Sequence, residues 1–356
     1  MKNLWLGLVL IAAASSVLLV SDWAQRSRGG PLKRIALVQH ASQPALDEGM
    51  QGILDGLAAQ GVVEGKNVTF QRFNPETDLA TANAIARQVV HDNFDLIITA
   101  STISLQTVAT ANGAIANPAG RTKHVFGIVA DPFSAGVGIN RENPLDHPKR
   151  LTGIGSFIPV DKAFKMAREL YPSLKTVGMA WNSAESNSVA FTTAARVASK
   201  DLGITLLEAN AENTSSVLEA ASSLISRGAE AIFISGDVTV LVAADSVVAA
   251  ARRSRIPVFS IIPPNIQKGT IFDLGANFHD VGKEVGELAA KVLNGLDPAT
   301  VPVLNLVPER LAINQLSFAG LRDPWRLPKQ VLDRAQTVID EKGQHDNTAK
   351  AAPAAH

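Results

Sequence analysis

The stretch Asn182-Ser183-Ala184-Glu185-Ser186-Asn187-Ser188 packs amide, hydroxyl and carboxylate side chains into one turn. It follows the apolar run Thr176–Trp181 and precedes an apolar-periodic segment that starts at Val189. Such a turn can hold a small polar molecule from several directions. Thr102 and Ser104 open the segment after "LIITAS". Free N–H groups at a helix N-terminus, with hydroxyls beside them, hold a carboxylate without a fixed charge. Asp131 in "VADP" and Asp237 in "SGDV" are acids at strand ends, and Glu185 is a third acid. Each can pair with an ammonium group or cap a turn. Acids facing hydroxyls and helix N-termini suit a zwitterion. Trp181 ends its strand beside the polar turn and can wall a pocket or pack in the core. His40 follows the first strand and reads as a solvated loop residue, with ligand contact as the alternative.

Catalytic sets are missing. The chain has no G-x-x-x-x-G-K-[ST] loop and no G-x-G-x-x-G after a strand, since "AGVGIN" lacks the third Gly. It has no G-x-S-x-G elbow, and its seven His include no H-E-x-x-H spacing. With no Cys, a thiolate nucleophile, a disulfide framework, a Cys-ligated metal and a lipidated N-terminal Cys are excluded. No catalytic residue, metal or cofactor is expected. Lys+Arg and Asp+Glu balance at 33 each, which gives no support for nucleic-acid binding.

The elements that must position these groups alternate in type. Candidate strands are 34–39, 67–72, 95–100 and 124–129, then 176–181, 205–208, 231–235 and 257–260. Helix-length segments lie between them: 45–60, 79–92, 103–111, 161–171, 188–202, 215–227 and 240–253. This alternation predicts a mainly parallel sheet with helices on both faces. The halves resemble each other: "RIALVQHASQPALDEGMQGILDGLAAQG" can be laid on "TVGMAWNSAESNSVAFTTAARVASKDLG". Two open α/β lobes follow, and such sheets bind ligands outside the carboxyl ends of their strands. Gln39–Ser42, Ser101–Thr102, Asp131, 182–188 and Ser235–Thr239 all stand at such ends.

The first residues hold one Lys and then an unbroken apolar run, Leu4 to Val20. It reads as an export signal cleaved after Ala14 or as an N-terminal membrane anchor near the lower length limit for a span. In the anchor reading, Ser21–Pro31 is a tether. The other end, from residue 342 to 356, reads as a disordered tail.

The stretches "PALDEGMQGILDGLAAQGVVEGKNVTFQ", "FDLIITASTISLQ", "VADPFSAGVG", "WNSAESNS", "SGDVTV" and "GTIFDLGANFHDVGKEVGELAAKVLNG" resemble an ABC-transporter substrate-binding family that includes tryptophan- and tyrosine-type binding proteins. The resemblance implies the type I periplasmic-binding-protein fold: two Rossmann-like lobes with parallel sheets, joined by a three-crossing hinge. Crossings are expected near 153–158, 263–276 and 306–313. Lobe 1 would comprise 31–155 plus 276–306, and lobe 2 would comprise 156–275 plus 307–341, after a signal or anchor at 1–30. Ligand-facing positions implied by the resemblance are Thr102, Asp131, Asn182, Ser183, Glu185, Asn187, Ser188, Asp237 and Thr239. The family's "TP" is Thr102-Ile103 here, and its "TDN" is Gly236-Asp237-Val238. The expectation is a monomeric, extracytoplasmic solute-binding protein that closes on a small ligand, an amino acid by preference, and presents it to an ABC permease at the inner membrane. A membrane-tethered sensor of the same fold and an α/β enzyme such as a racemase or hydrolase are the alternatives.

Overall fold

The computed structural model describes residues 15, 32–117 and 120–347. Its strands gather into two sheets. The first begins with β1 (Lys33–Gln39), β2 (Val68–Phe73), β3 (Leu96–Ala100), β4 (His124–Val129) and β5 (Leu151–Gly155). Between these lie helices α1 (Pro44–Ala59), α2 (Leu79–His91) and α3 (Thr102–Gly113). The strand β11 (Leu304–Asn305) completes this sheet in the order β11-β5-β4-β3-β1-β2, with every pair parallel. Strands covered by helices on both faces lose the alternating pattern and read as continuous apolar runs. All five residues of β3, Leu-Ile-Ile-Thr-Ala, are buried accordingly.

The second sheet contains β6 (Thr176–Trp181), β7 (Thr205–Asn210), β8 (Ala231–Ile234), β9 (Val258–Ser260) and β10 (Phe272–Ala276). Its helices are α4 (Val160–Leu170), α5 (Ser186–Asp201), α6 (Val217–Ser226), α7 (Val238–Val242) and α8 (Ala244–Arg253). Then come β12 (Glu309–Asn314), β13 (Thr337–Asp340) and β14 (Gly343–Asp346), which complete the order β14-β13-β12-β10-β9-β8-β6-β7. The β10–β12 and β13–β14 pairs are antiparallel and the rest are parallel. The fold is the α/β arrangement that the alternation predicts. Two local expectations are corrected. The segment read as one helix over 240–253 is two, with a break at Ala243, because α7 is a single capped turn started by Asp237. The tail reading fails over its first described residues, because Gly343–Asp346 pairs with β13 and thereby satisfies that strand's outer backbone edge.

The chain passes between the sheets three times: after β5, between β10 and helix α9 (Phe278–Leu293), and between β11 and β12. Helix α9 returns to the first sheet and lies on α1. Their backbones meet through glycines. A Cβ placed on Gly52 would sit 2.1 Å from the His279 carbonyl oxygen, and one on Gly282 would sit 2.0 Å from that of Gly49. Any larger side chain forces the helices apart. A short helix α10 (Lys329–Leu332) precedes β13. Polar bridges join the two halves: Gln106 of α3 donates to Ser186 of α5 (3.2 Å), and Arg310 of β12 pairs with Glu48 of α1 (2.8 Å).

Among the described residues no helix is long and apolar enough to cross a membrane. Apart from Ser15, the apolar run Leu4–Val20 and the stretch Ser21–Pro31 lie outside the described residues, as do 348–356 of the tail.

Candidate ligand-binding cleft

The carboxyl ends of both sheets face a cleft of about 450 Å³, its open mouth included. The first sheet's side supplies Gln43, Ala45 and Leu46 at the start of α1, Ser101 and Thr102 at the start of α3, and Ile128 and Ala130 after β4. Ser156 and Ile158 come from the first crossing, and Phe278 from the first residue of α9. The second sheet's side supplies Asn187 and Phe191 of α5, Gly236, Val238 and Leu241 around α7, and Ile262 after β9. Phe157, in the first crossing, stacks on Phe191 with ring centroids 5.0 Å apart. No lining residue carries a charge.

Two lining residues hold strained backbone. Ser101 has φ +111° and Ile128 has φ +53°. Non-glycine residues in such conformations cost on the order of 1–3 kcal/mol each and persist where the surroundings impose them. Ser101 is the N-cap of α3: its side chain accepts from the Ser104 N–H. That leaves the Thr102 and Ile103 N–H groups without a partner among the described residues, at the positive end of the helix. Ile128 sits where the β4–β5 register slips between Phe126 and Val129.

The polar turn is a network directed at the neighbouring turn. Glu185 accepts four hydrogen bonds: from the Val238 N–H (2.9 Å), the Thr239 N–H (3.0 Å), the Thr239 hydroxyl (2.5 Å) and the Asn187 amide (3.1 Å). Asp237 accepts from the Asn182 N–H (2.6 Å), the Ser188 hydroxyl (2.5 Å) and the Val240 N–H (2.8 Å). Asn182 also donates to the Thr239 hydroxyl (3.0 Å). Two buried carboxylates therefore lace the turn after β6 to the turn after β8. Burial, and secondly the charge of Glu185, push the Asp237 carboxyl up to about 7.

Of the nine expected ligand-facing residues, Thr102 and Asn187 line the cleft. Asn182, Glu185, Ser188, Asp237 and Thr239 stand behind its wall, bonded to one another. Ser183 is exposed, and its N–H donates to Asn210. Asp131 pairs with Arg141 (2.5 Å) and accepts from the Phe133 N–H, so it closes its own turn. Trp181 is half-buried outside the cleft, with the Arg196 guanidinium over its ring. His40 corrects the reading of a solvated loop residue. It is 2% exposed, its Nδ1 has no partner among the described residues, and burial lowers its pKa against the pull of Glu185 and Glu76.

The Asn187 amide is the wall's open valence. Its Nδ2 donates to the Gly236 carbonyl (2.9 Å) and to Glu185, which fixes the amide's orientation. Its Oδ1 is buried and accepts nothing among the described residues. The apolar lining (Phe191, Val238, Leu241, Ile262, Phe278) was not read as site from the sequence. These residues sit in helix and strand-end patterns that look like ordinary core. Their one available signal is position, within a few residues of a strand's carboxyl end.

Comparison with known proteins places this geometry. A family model described as "ABC transporter substrate binding protein" matches residues 34–339. A tyrosine-binding protein of Clostridioides difficile strain R20291 is 26% identical over 289 residues, covering 81% of each chain. The crystal structure of a conserved domain protein from Vibrio cholerae O1 biovar El Tor superposes with a TM-score of 0.79 at 29% identity, covering 86% of this chain and all of that one. An ABC domain from Streptococcus pneumoniae in complex with L-Trp gives 0.76 at 24% identity, with the same coverage.

Proposed function

The chain belongs to the ABC transporter substrate-binding protein family, and from that premise we propose that its cleft closes on one amino acid with an apolar or aromatic side chain. The observation that carries this reading is the cleft's composition. Apolar residues from both sheets surround a few polar groups, among them the α3 N-terminus with Thr102, the Gln43 amide at the start of α1 and the Asn187 amide. An apolar body with a small polar head matches that division. The 26% identical relative is named for tyrosine binding, which agrees with it. No charged side chain and no His lines the cleft, so its Ser and Thr hydroxyls have no lining base to activate them, and the arrangement suits holding a molecule.

In this reading the lobes are 31–155 plus 276–306 and 156–275 plus 307–341 extended by β14, and they hinge at the three crossings. Closure brings Gln106 to Ser186 and commits the ligand. The closed monomer then docks on a permease at the outer face of the membrane. Leu4–Val20 holds it there as a tether or is removed on export. Seven of the nine expected residues act at two depths: Thr102 and Asn187 touch the ligand, and Asn182, Glu185, Ser188, Asp237 and Thr239 form the network that holds Asn187 in place.

A thermal-shift screen of the twenty L-amino acids tests the proposal. A ligand that binds only the folded state raises the melting midpoint by mass action. The expected result is a shift with apolar or aromatic members and none with Asp, Glu, Lys or Arg. A shift confined to charged amino acids, or none at all from a protein purified free of ligand, would refute it.

A further inference from the structure

A second cavity opens beside the first sheet, at the end away from the cleft. Helix α3 runs from one to the other. Thr102 at its start lines the cleft, and Ala109, Asn112 and Gly113 near its end line the cavity. Eleven residues at 1.5 Å rise set the two apart by about 16 Å. Strand β4 takes the same course, with His124 at the cavity and Ile128 at the cleft. The cavity measures about 1590 Å³, its open mouth included, so it is larger than the cleft.

Its charge is one-sided. Arg121, Lys149 and Arg150 line it and no acid does. Arg121 is tied to the end of α3: its Nε donates to the Ile115 carbonyl (3.1 Å) and its Nη2 to that of Gly113 (2.9 Å). It thereby covers the negative end of that helix. The Lys149 and Arg150 side chains make no hydrogen bond or ion pair among the described residues. The nearest acid along the chain, Asp146, accepts from the Asn140 amide instead (3.2 Å). His124 is fully buried and bonded to the Thr99 hydroxyl, so it adds no charge.

Another part of the lining is Gly136-Val137-Gly138, the glycine pair of the "AGVGIN" stretch. The two glycines have φ +72° and +80°. None of the three backbone N–H groups has a partner among the described residues. Positive-φ glycines let successive N–H groups turn toward one anion. Ala109, Val137, Pro148 and Leu151 supply apolar surface beside these groups.

We propose that this cavity is a second ligand site, taking a phosphate monoester on an apolar body, with Lys149, Arg150 and the open N–H groups of 136–138 as its anion-binding groups. The cation count selects the class. A phosphate monoester carries about −1.5 to −2 at pH 7 and three acceptor oxygens, which matches two unpaired cations, whereas a monocarboxylate leaves one of them unmatched. Such an ester occurs as a dissolved molecule or as the headgroup of a phosphatidate lipid, and its phosphate chemistry is the same in both. The proposal does not depend on what the interlobe cleft holds.

Calorimetric titration of the full chain with phenyl phosphate tests it. Saturable 1:1 binding is expected, unchanged in Thr102→Ala/Asn187→Ala, whose replacements lie in the cleft. In Lys149→Gln/Arg150→Gln it is expected to weaken about 10- to 100-fold, the worth of a charge-assisted bond. Equal binding by wild type and that variant, or a loss confined to the cleft variant, would overturn the proposal. An equal affinity for inorganic phosphate would overturn the assignment of an ester. Neither replaced side chain holds a bond in the fold, so the urea midpoint should stay unchanged. Should it fall, Lys149→Gln alone, at an exposed position, carries the test: binding weakened about tenfold supports the site, and unchanged binding overturns it. Sedimentation with vesicles of phosphatidylcholine, alone or mixed four to one with phosphatidate, separates the two sources. Phosphatidate-dependent binding that Lys149→Gln/Arg150→Gln abolishes would support the site with a lipid headgroup as its ligand. Binding of phenyl phosphate without it would support a dissolved ester. Failure of both would overturn the proposal.

Discussion

Replacing Asp237 by Asn keeps the shape of the buried brace and removes its charge, and the consequence should reverse with pH. The carboxyl sits at about 7 in the folded protein against an ordinary value of 3.8. A raised carboxyl pKa means that the folded state holds a proton that the unfolded chain has released. The group's contribution to stability is fully present below pH 3.8 and is lost as pH rises toward 7. Roughly three pH units at about 1.4 kcal/mol each give a loss of up to about 4 kcal/mol across that window. Asn does not titrate and escapes the loss. It has a cost of its own, because both carboxylate oxygens accept backbone N–H groups, from Asn182 and from Val240. An amide has one oxygen, so one buried N–H goes unpaired at about 1–3 kcal/mol. Relative to wild type, Asp237→Asn should therefore gain up to about 2.7 kcal/mol between pH 5 and pH 8 and be neutral or stabilising at pH 8. Urea unfolding midpoints of both proteins at pH 5, 6, 7 and 8 measure this. Parallel curves, with one constant difference at every pH, would refute the reasoning, because they would mean that Asp237 titrates alike in both states.

Further outcomes follow from other packing details. Gly282→Ala should destabilise by about 1–3 kcal/mol in urea unfolding, since its Cβ would meet the Gly49 carbonyl. Gly113→Ala, with open space around it and a helical position, should stabilise by about 0.4–1 kcal/mol in the same assay. His124 is fully buried, bonded to the Thr99 hydroxyl, and lowered to about 3 by burial. A lowered His pKa contributes stability that is present above pH 6.5 and lost as pH falls toward 3. His124→Gln should accordingly flatten the acid limb of the stability curve by up to about 1.4 kcal/mol per unit between pH 6 and 4, as read by urea midpoints. Gln106→Leu removes the bridge to Ser186 and should weaken ligand binding about 2- to 10-fold in calorimetry with little change in unfolding midpoint.

Much of the fold is legible in the sequence because parallel strands covered on both faces announce themselves as unbroken apolar runs. "LIITA" and "HVFGIV" are examples, and the helices between them carry a three-to-four-residue apolar spacing. The short elements are less legible. The two residues of β11 carry no pattern of their own, and the pairing of β14 comes from its antiparallel partner Thr337–Asp340. At the site, sequence identifies the polar turn and the acid at 237 as unusual but cannot show that they face each other. Glu185 and Thr239 stand 54 positions apart, and their 2.5 Å bond exists because β6 and β8 are neighbours in the sheet. Once paired, the acids lose the freedom that would let them bind an ammonium group. Position 187 is one polar residue among several in its turn. It is singled out only when its neighbours' bonds are counted and its oxygen is left over.

The central claim is that an interlobe cleft with neutral walls holds one apolar, carboxylate-bearing amino acid. The most direct measurement is titration calorimetry of ligand-free protein with L-leucine, L-phenylalanine, L-tyrosine and L-tryptophan at several temperatures. The account predicts saturable 1:1 binding of at least one of them, with a negative heat-capacity change from buried apolar surface. It also predicts that this binding weakens at least tenfold when Thr102 and Asn187 are both replaced by Ala. Tight binding that is indifferent to that double replacement would contradict it.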